Sequence, residues 1–296
     1  MLRSSYAQLA NHLHPFAAAY AWCLEHGHEF RTPGFARYAR YFSDLGDADA
    51  GVFAQAVGWR LTRWAQKSRL FGPTLVAPAT GPVTNLPPSP TDAQITELAE
   101  RMKGRGQRVF LQGWRFRNPM GIAAHRALVL EKFRPSAAVA ESVRAFAEGL
   151  PDGRPVIGVH IRHADYRTHR GGALFVSLGR TLEHMKALAN RLVRLRPYFV
   201  VFSDESRSPG EFAGFDHIIS RGNAGEDLFR MANCHAIIGP HSSFNAWAAW
   251  YGDRPLMHIA GDSATTEGPP DEDLAMRGLR TLHELTRALH ERGWHM

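Results

Sequence analysis

PVIGVHIRHADYRTHRGG, residues 155–172, begins as a short apolar strand and turns polar at its carboxyl end. Side chains alternate along a strand, so His160 and Arg162 share one face and Ile161 takes the other. The same transition recurs downstream. Leu178 to Leu195 reads as a helix, with Leu182, Met185, Leu188, Leu192 and Leu195 recurring at spacings of three and four. YFVVFSD (198–204) and DHIIS (216–220) read as strands, Glu226 to Cys234 as a helix, and HAIIG (235–239) as a strand. Ser243 to Tyr251 reads as a helix and PLMHI (255–259) as the last strand. This alternation predicts an α/β fold with a parallel sheet covered by helices on both faces. Ligands of such sheets bind beyond the carboxyl ends of the strands, beside helix N-termini. A closing helix is expected from Glu272 to Arg292, with Leu279, Leu282, Leu285 and Leu289 as its apolar stripe.

Upstream the pattern changes. Ala10 to His26 reads as a helix ended by Gly27. Residues 33–72 have no clean period, and PTLVAPATGPVTNLPPSP (73–90) carries six prolines, which suits an irregular connection. Helices are expected over Asp92 to Met102, Ala123 to Phe133 and Ser136 to Leu150, with a short strand at Val109 to Leu111. The turn Pro151-Asp152-Gly153 then divides the chain into two expected domains, 1–150 and 151–296.

Of the 296 residues, 44% are hydrophobic and 21% charged, enough apolar material for a sizeable core and against global disorder. Charge interrupts each apolar stretch within about a dozen residues, too short for the ~20-residue span of a membrane helix. The opening residues MLRSSYAQLANHLHPF carry no unbroken apolar run and no small-residue cleavage site, so no secretory leader is expected. Two cysteines, Cys23 and Cys234, cannot build a disulfide framework, which suits a reduced, cytoplasmic chain. The net charge of +7 suits a solvated basic surface, a phosphorylated small molecule or an anionic membrane surface, including the inner face of a membrane. No run of five Lys/Arg occurs, which argues against nucleic acid.

Three polar blocks stand at strand ends. In the first, Arg162 suits a diphosphate oxygen and Asp165 could orient its guanidinium; on spacing alone, a plain surface ion pair between the two is the better fit. In the second, VFSDES (201–206), Ser203 and Asp204 suit a turn or cap as well as a ligand contact. In the third, a strand runs into Pro240-His241-Ser242-Ser243 and a helix starts at once. Hydroxyls and free N–H groups there form an anion site, and either serine can also be the helix cap. Asp227 either caps the preceding helix or accepts hydrogen bonds from a base or ribose. His12, His14, His26 and His28 lack a Cys or carboxylate at ligand spacing, and Asp47 and Asp49 follow no buried strand, so no metal site is expected.

Taken in order, HIRHADY, VFSDES and EDLFRMANCHAIIGPHSSFNAWAAW resemble the inverting fucosyltransferases, most closely the bacterial α-1,2-fucosyltransferases of glycosyltransferase family 11. That family shows H-x-R-R-G-D-Y, then F-S-D-D, then an acidic–Leu helix leading to a serine- and tryptophan-rich stretch. QLANHLHPFAAAYAWCLEHG (8–27) and VFLQGWRFRNP (109–119) also resemble its N-terminal helix and its strand-and-tryptophan segment, so the resemblance covers nearly the whole chain. Gln8 and Ala10 replace the family's opening glycines, and His163-Ala164 stands where it has Arg-Gly.

The resemblance implies the GT-B fold, two Rossmann-like domains facing across a cleft, with acceptor binding in the first and the nucleotide sugar in the second. It implies transfer of fucose from GDP-fucose to a hydroxyl of a glycan acceptor, with inversion, no metal and no resident cofactor. Donor-binding residues would be Asn11, His160, Arg162, Asp204, Asp227, Ser242 and Ser243. Arg162 would stabilise the departing GDP, and His14 and Asp165 are the candidate bases. The alternatives are another nucleotide-sugar donor on the same fold and a non-enzymatic, basic nucleic-acid-binding protein.

Overall fold

The computed structural model describes residues 2–3, 9–30, 38–45, 97, 111–112, 117–263, 278–279 and 281–295. The proline-rich segment, most of the expected helix at 92–102 and most of 272–280 lie outside these residues. The chain divides into two compact units, Met1–Ala137 and Ala138–Met296.

In the first unit, strands β1 (Leu2–Arg3) and β2 (Leu111–Gln112) pair in parallel. Helix α1 (Leu9–His26) is buried over most of its length, carries Pro15 inside it, and is followed by Gly27 at φ +66°, a conformation glycine adopts without strain. The helix expected over Ala123 to Phe133 is two: α2 (Pro119–Ala124) and α3 (Arg126–Lys132), broken at His125. Asn118 caps α2 by accepting from the Gly121 N–H at 2.9 Å, and Pro119 takes the first helical position, where a missing donor costs nothing.

The second unit is a parallel five-stranded sheet, so the α/β class is as expected. Helix α4 (Ala137–Glu148) leads into strands β3 (Val156–Ile161), β4 (Tyr198–Ser203), β5 (His217–Ile219), β6 (Ala236–Gly239) and β7 (Leu256–His258). Their order is β5-β4-β3-β6-β7, every pair parallel. Right-handed crossovers give a doubly wound sheet this order, with strands added outward on both sides of the first. The connections are α5 (Leu178–Arg191) between β3 and β4, α6 (Ala224–Asn233) between β5 and β6, and α7 (Ser243–Gly252) between β6 and β7.

One face of the sheet packs Ile157, Val159, Phe199, Val201 and Ile238 against Met185 and Leu188 of α5 and against Leu285 and Leu289 of α8 (Leu282–Glu291). At ~1.5–3 kcal/mol for each buried aliphatic or aromatic side chain, this layer supplies much of the unit's stability. On the other face Gly158 leaves room for Cys234 and Met231, and Gly252 lies against the Ala232 carbonyl, which lets α6 and α7 pack closely. The closing helix is shorter than its leucine stripe predicts. Thr281 caps it, and Leu279 forms a parallel bridge with Met257 beside β7 while still packing into the core.

Candidate functional site

The strand order reverses between β3 and β6, and the chain leaves these two neighbours for opposite sides of the sheet. The carboxyl ends of two such strands are the usual ligand position of a sheet of this order. His160 and Arg162 come from the β3 side, and Gly239 to Ser243 from the β6 side.

Arg162 is 7% exposed, yet it carries a permanent charge. Its Nε and Nη2 donate to the two carboxylate oxygens of Asp165 at 2.9 and 2.8 Å, a bidentate fork. Its guanidinium lies 4.6 Å from the ring centroid of Tyr166, a favourable cation–π position. The Tyr166 hydroxyl donates to the His241 carbonyl at 3.0 Å and so ties the β3 loop to the β6 loop. Burial works against the charge, but Asp165, Tyr166 and Asp204 outweigh it and raise the pKa of the guanidinium. Asp165 is held below the ordinary carboxylate range, chiefly by its hydrogen bonds from Arg162. The ion pair thus forms as the spacing allowed, but its cation is buried at the switch point and only Asp165 meets solvent.

Asp204 shapes the loop. Its carboxylate accepts the backbone N–H groups of His163 at 2.9 Å and Ala164 at 3.2 Å. His160 is buried against Phe244, and burial together with the Arg162 charge pushes it down to about 3, so it is neutral. A Cβ on Gly239 would stand 2.8 Å from both the Cβ and the carbonyl oxygen of His160, so β6 must carry glycine for the strand pair to keep this shape. Ser242 caps α7, accepting from the Phe244 N–H at 3.3 Å, and Ser243 opens that helix half-buried. Asn245, fully buried, donates to the Pro240 carbonyl at 2.7 Å and fixes the turn into the helix. The partial positive charge of the α7 N-terminus and the Arg162 cation thus both stand at the switch point.

Asp227 lies farther out, on the first turn of α6 beside the end of β5. The Ser220 hydroxyl donates to it at 2.6 Å and Arg230 stands 3.7 Å away. Burial nevertheless pushes its pKa up to about 6. Asn11 and His14 lie on α1 of the first unit, Asn11 half-buried and His14 buried.

The second unit therefore gathers His160, Arg162, Asp165, Asp204, Ser242 and Ser243 around one strand pair, with Asp227 at the sheet edge. The sequence reading assigns no role to three participants: Tyr166 as a bridge, Asn245 as a turn anchor, and the contact of His163 with Arg207. Tyr166 was legible, since it closes the HIRHADY block. The His163–Arg207 contact spans 44 residues and leaves no mark in the sequence. Among the described residues no group of three or more His, Cys, Asp and Glu is placed to hold a metal ion. His26 and His28 stack on Trp22 instead, with ring centroids at 4.4 and 5.2 Å. Asp47 and Asp49 lie outside the described residues. No helix among the described residues is long and apolar enough to cross a membrane.

No family model matches the chain. No curated protein matches it by sequence. Among solved structures it is similar to NodZ α-1,6-fucosyltransferase soaked with GDP-fucose, at 16% identity and a TM-score of 0.48, over 87% of this chain and 94% of that one. The fucosyltransferase NodZ from Bradyrhizobium matches at 15% identity and a TM-score of 0.47, over 83% and 91%. POFUT1 in complex with GDP-fucose matches at 13% identity and a TM-score of 0.41, over 55% of each chain, so the likeness spans about half of that protein.

Proposed function

We propose that the chain is an inverting glycosyltransferase of the GT-B class that moves fucose from GDP-fucose to a hydroxyl of a glycan acceptor. The observation that carries this is the buried Arg162 cation at the switch point, on the same edge as the α7 N-terminus with Ser242 and Ser243. Asp165 holds the Nε–Nη2 edge of Arg162, and a diphosphate suits the cation so oriented together with a helix end. The resemblance of the ordered sequence blocks to the α-1,2-fucosyltransferases supports GDP-fucose as the donor and an α-1,2 linkage. As the acceptor hydroxyl attacks C1 from the face opposite GDP, the C1–O bond to GDP breaks and the hydroxyl proton is given up to water. Charge grows on the diphosphate as the bond breaks, and Arg162 with the helix end stabilises it without reorganising, the most effective electrostatic arrangement. His160, neutral, and Asp227 hold the nucleoside. Asp165, forked and ionised, orients Arg162 and is a poor proton acceptor. No metal or resident cofactor takes part in this scheme.

A thermal-shift panel of GDP, UDP, CDP and dTDP with their sugars tests the reading. GDP and GDP-fucose should stabilise the protein, by about 2.7 kcal/mol at a hundredfold excess over Kd, and chelation of magnesium should change nothing. Stabilisation by UDP with none by GDP would replace the donor.

A further inference from the structure

His163 follows Arg162 directly, is 4% exposed, and is held at both ring nitrogens. Nε2 lies 2.9 Å from the Val176 carbonyl, so it carries the proton and donates. Nδ1 lies 2.6 Å from Nη2 of Arg207, which can only donate, so Nδ1 accepts. Both bonds exist together in one state alone, the neutral imidazole protonated on Nε2. The bond to Val176 closes the loop 164–175 at its base, and this loop holds Asp165 and Tyr166 against Arg162. Arg207 is itself anchored, by Ser203 at 3.2 Å, Glu211 at 3.3 Å and Glu205 at 3.4 Å.

We propose that His163 is a positioning residue for Arg162, a clasp that is closed only as the neutral imidazole and opens when the ring is protonated. Its consequence for donor binding rests on the function proposed above; the clasp itself does not. Protonation places an N–H on Nδ1 against the Arg207 guanidinium, donor facing donor and cation facing cation. The other groups around the ring are the Glu205 carboxylate at 3.8 Å, Arg167 paired with that same carboxylate, the Phe175 ring at 4.9 Å, and Asp204, whose oxygens are taken by backbone N–H groups. One carboxylate thus serves two arginines and has little left for an imidazolium. Burial first, and Arg207 second, keep the ring below the ordinary histidine value. Arg162 and Arg167 hold Asp165 and Glu205 below the usual carboxylate range, so both stay ionised while the ring titrates.

The test is amide hydrogen exchange of residues 164–175 in the full chain at about pH 7.5 and about pH 5.5, corrected for intrinsic rates, with GDP affinity measured in parallel. The natural chain should lose protection roughly tenfold on acidification. His163→Gln, whose amide can still donate to Val176 and does not titrate, should change by no more than about twofold. Arg207→Met removes the opposing cation and should behave likewise, which keeps the test decisive where His163→Gln fails to fold. Equal acid loss in the natural chain and both variants would overturn the clasp. GDP affinity that stays constant while protection is lost would overturn the positioning role. Acid opening abolished in the variants, with no GDP binding at any pH, would support the clasp and refute the donor.

Discussion

Two charges sit largely buried on the carboxyl edge of one sheet, and they are treated in opposite ways. Arg162, at the centre, keeps its charge because a carboxylate fork and an aromatic face replace the water it lost. Asp227, two strands out, has a serine and a more distant arginine, and burial still pushes its pKa up to about 6. The centre is a permanent cation, suited to a permanent anion. The edge is a carboxylate whose charge burial makes costly, suited to the donors of a neutral hydrogen-bonding group. A nucleoside diphosphate has one part for each.

The largest effect belongs to the centre. Arg162→Ala should weaken GDP binding at least ~10-fold, since a hydrogen bond to a charged group contributes ~1.5–3 kcal/mol. Arg162→Lys keeps a charge, loses the fork and should fall between. Stability should follow the opposite order. Removing Asp165 strands a buried cation, whereas removing Arg162 strands a carboxylate that is 47% exposed, so Asp165→Ala should lower the melting temperature more than Arg162→Ala. Measuring GDP affinity and melting temperature on both variants checks the crossing. Equal losses of stability with unchanged GDP affinity would make the pair structural only.

Gly239→Ala comes next. Its methyl group would meet the His160 Cβ and backbone oxygen at 2.8 Å, and backbone cannot swing away. Overpacking of this kind costs ~1–3 kcal/mol, and here it should displace His160 as well. A crystal structure or histidine NMR shift of the variant reads the displacement; an unmoved ring at full stability would contradict the tight approach.

The edge predicts a stabilising mutation. The Asp227 carboxyl titrates higher folded than unfolded, so its ionised form penalises folding above about pH 6 and the penalty vanishes below the ordinary value near pH 3.8. Asp227→Asn should therefore raise stability at neutral pH by ~1 kcal/mol or more, less what Arg230 loses, and gain nothing near pH 3.5. It should also weaken GDP. His160 has the reverse sign: its folded value, about 3, lies below the unfolded one, so it removes stability as pH falls from about 6.5. Between about pH 6 and 3.8 the two oppose each other. Urea melts at several pH values should show a shallow acid limb in the natural chain and a steeper one in Asp227→Asn, by up to ~1.4 kcal/mol per pH unit.

Much of the second unit was legible because its strands are apolar runs that end in polar residues. All five stand within two residues of where the sequence places them. The Pro-His-Ser-Ser entry into α7 and the HIRHADY block were legible for the same reason, since local chemistry signals them. Other features compete with an equally good local pattern. Leu279 fits a helical stripe but completes a bridge to Met257, and nothing at His125 predicts a break between α2 and α3. The clasp of His163 by Arg207 is tertiary and has no local signature. A plain surface ion pair with Asp165 would leave Arg162 at the surface; the fork and the Tyr166 face allow its burial instead.

The smallest effect comes from a site that touches neither charge, and it serves as the control for both. Thr281 accepts the Glu284 N–H at 3.2 Å, and Glu284 accepts the Thr281 N–H at 2.9 Å, a reciprocal cap on α8. The leucine stripe alone would instead place Thr281 inside a helix starting near residue 272. The two arrangements give Thr281→Ala opposite signs. As a cap, threonine is worth ~1 kcal/mol over alanine. Inside a helix, alanine is the better helix former, and an exposed threonine replaced by it should gain a few tenths of a kcal/mol, roughly. The exposed hydroxyl leaves no cavity, so packing does not blur the sign. A fall in melting temperature of a few degrees, with GDP affinity and the acid limb both unchanged, is expected. A rise would return the helix start to the stripe. A fall accompanied by weaker GDP binding would mean that loss of stability alone perturbs the switch point, and the contrast drawn with Arg162→Ala would lose its meaning.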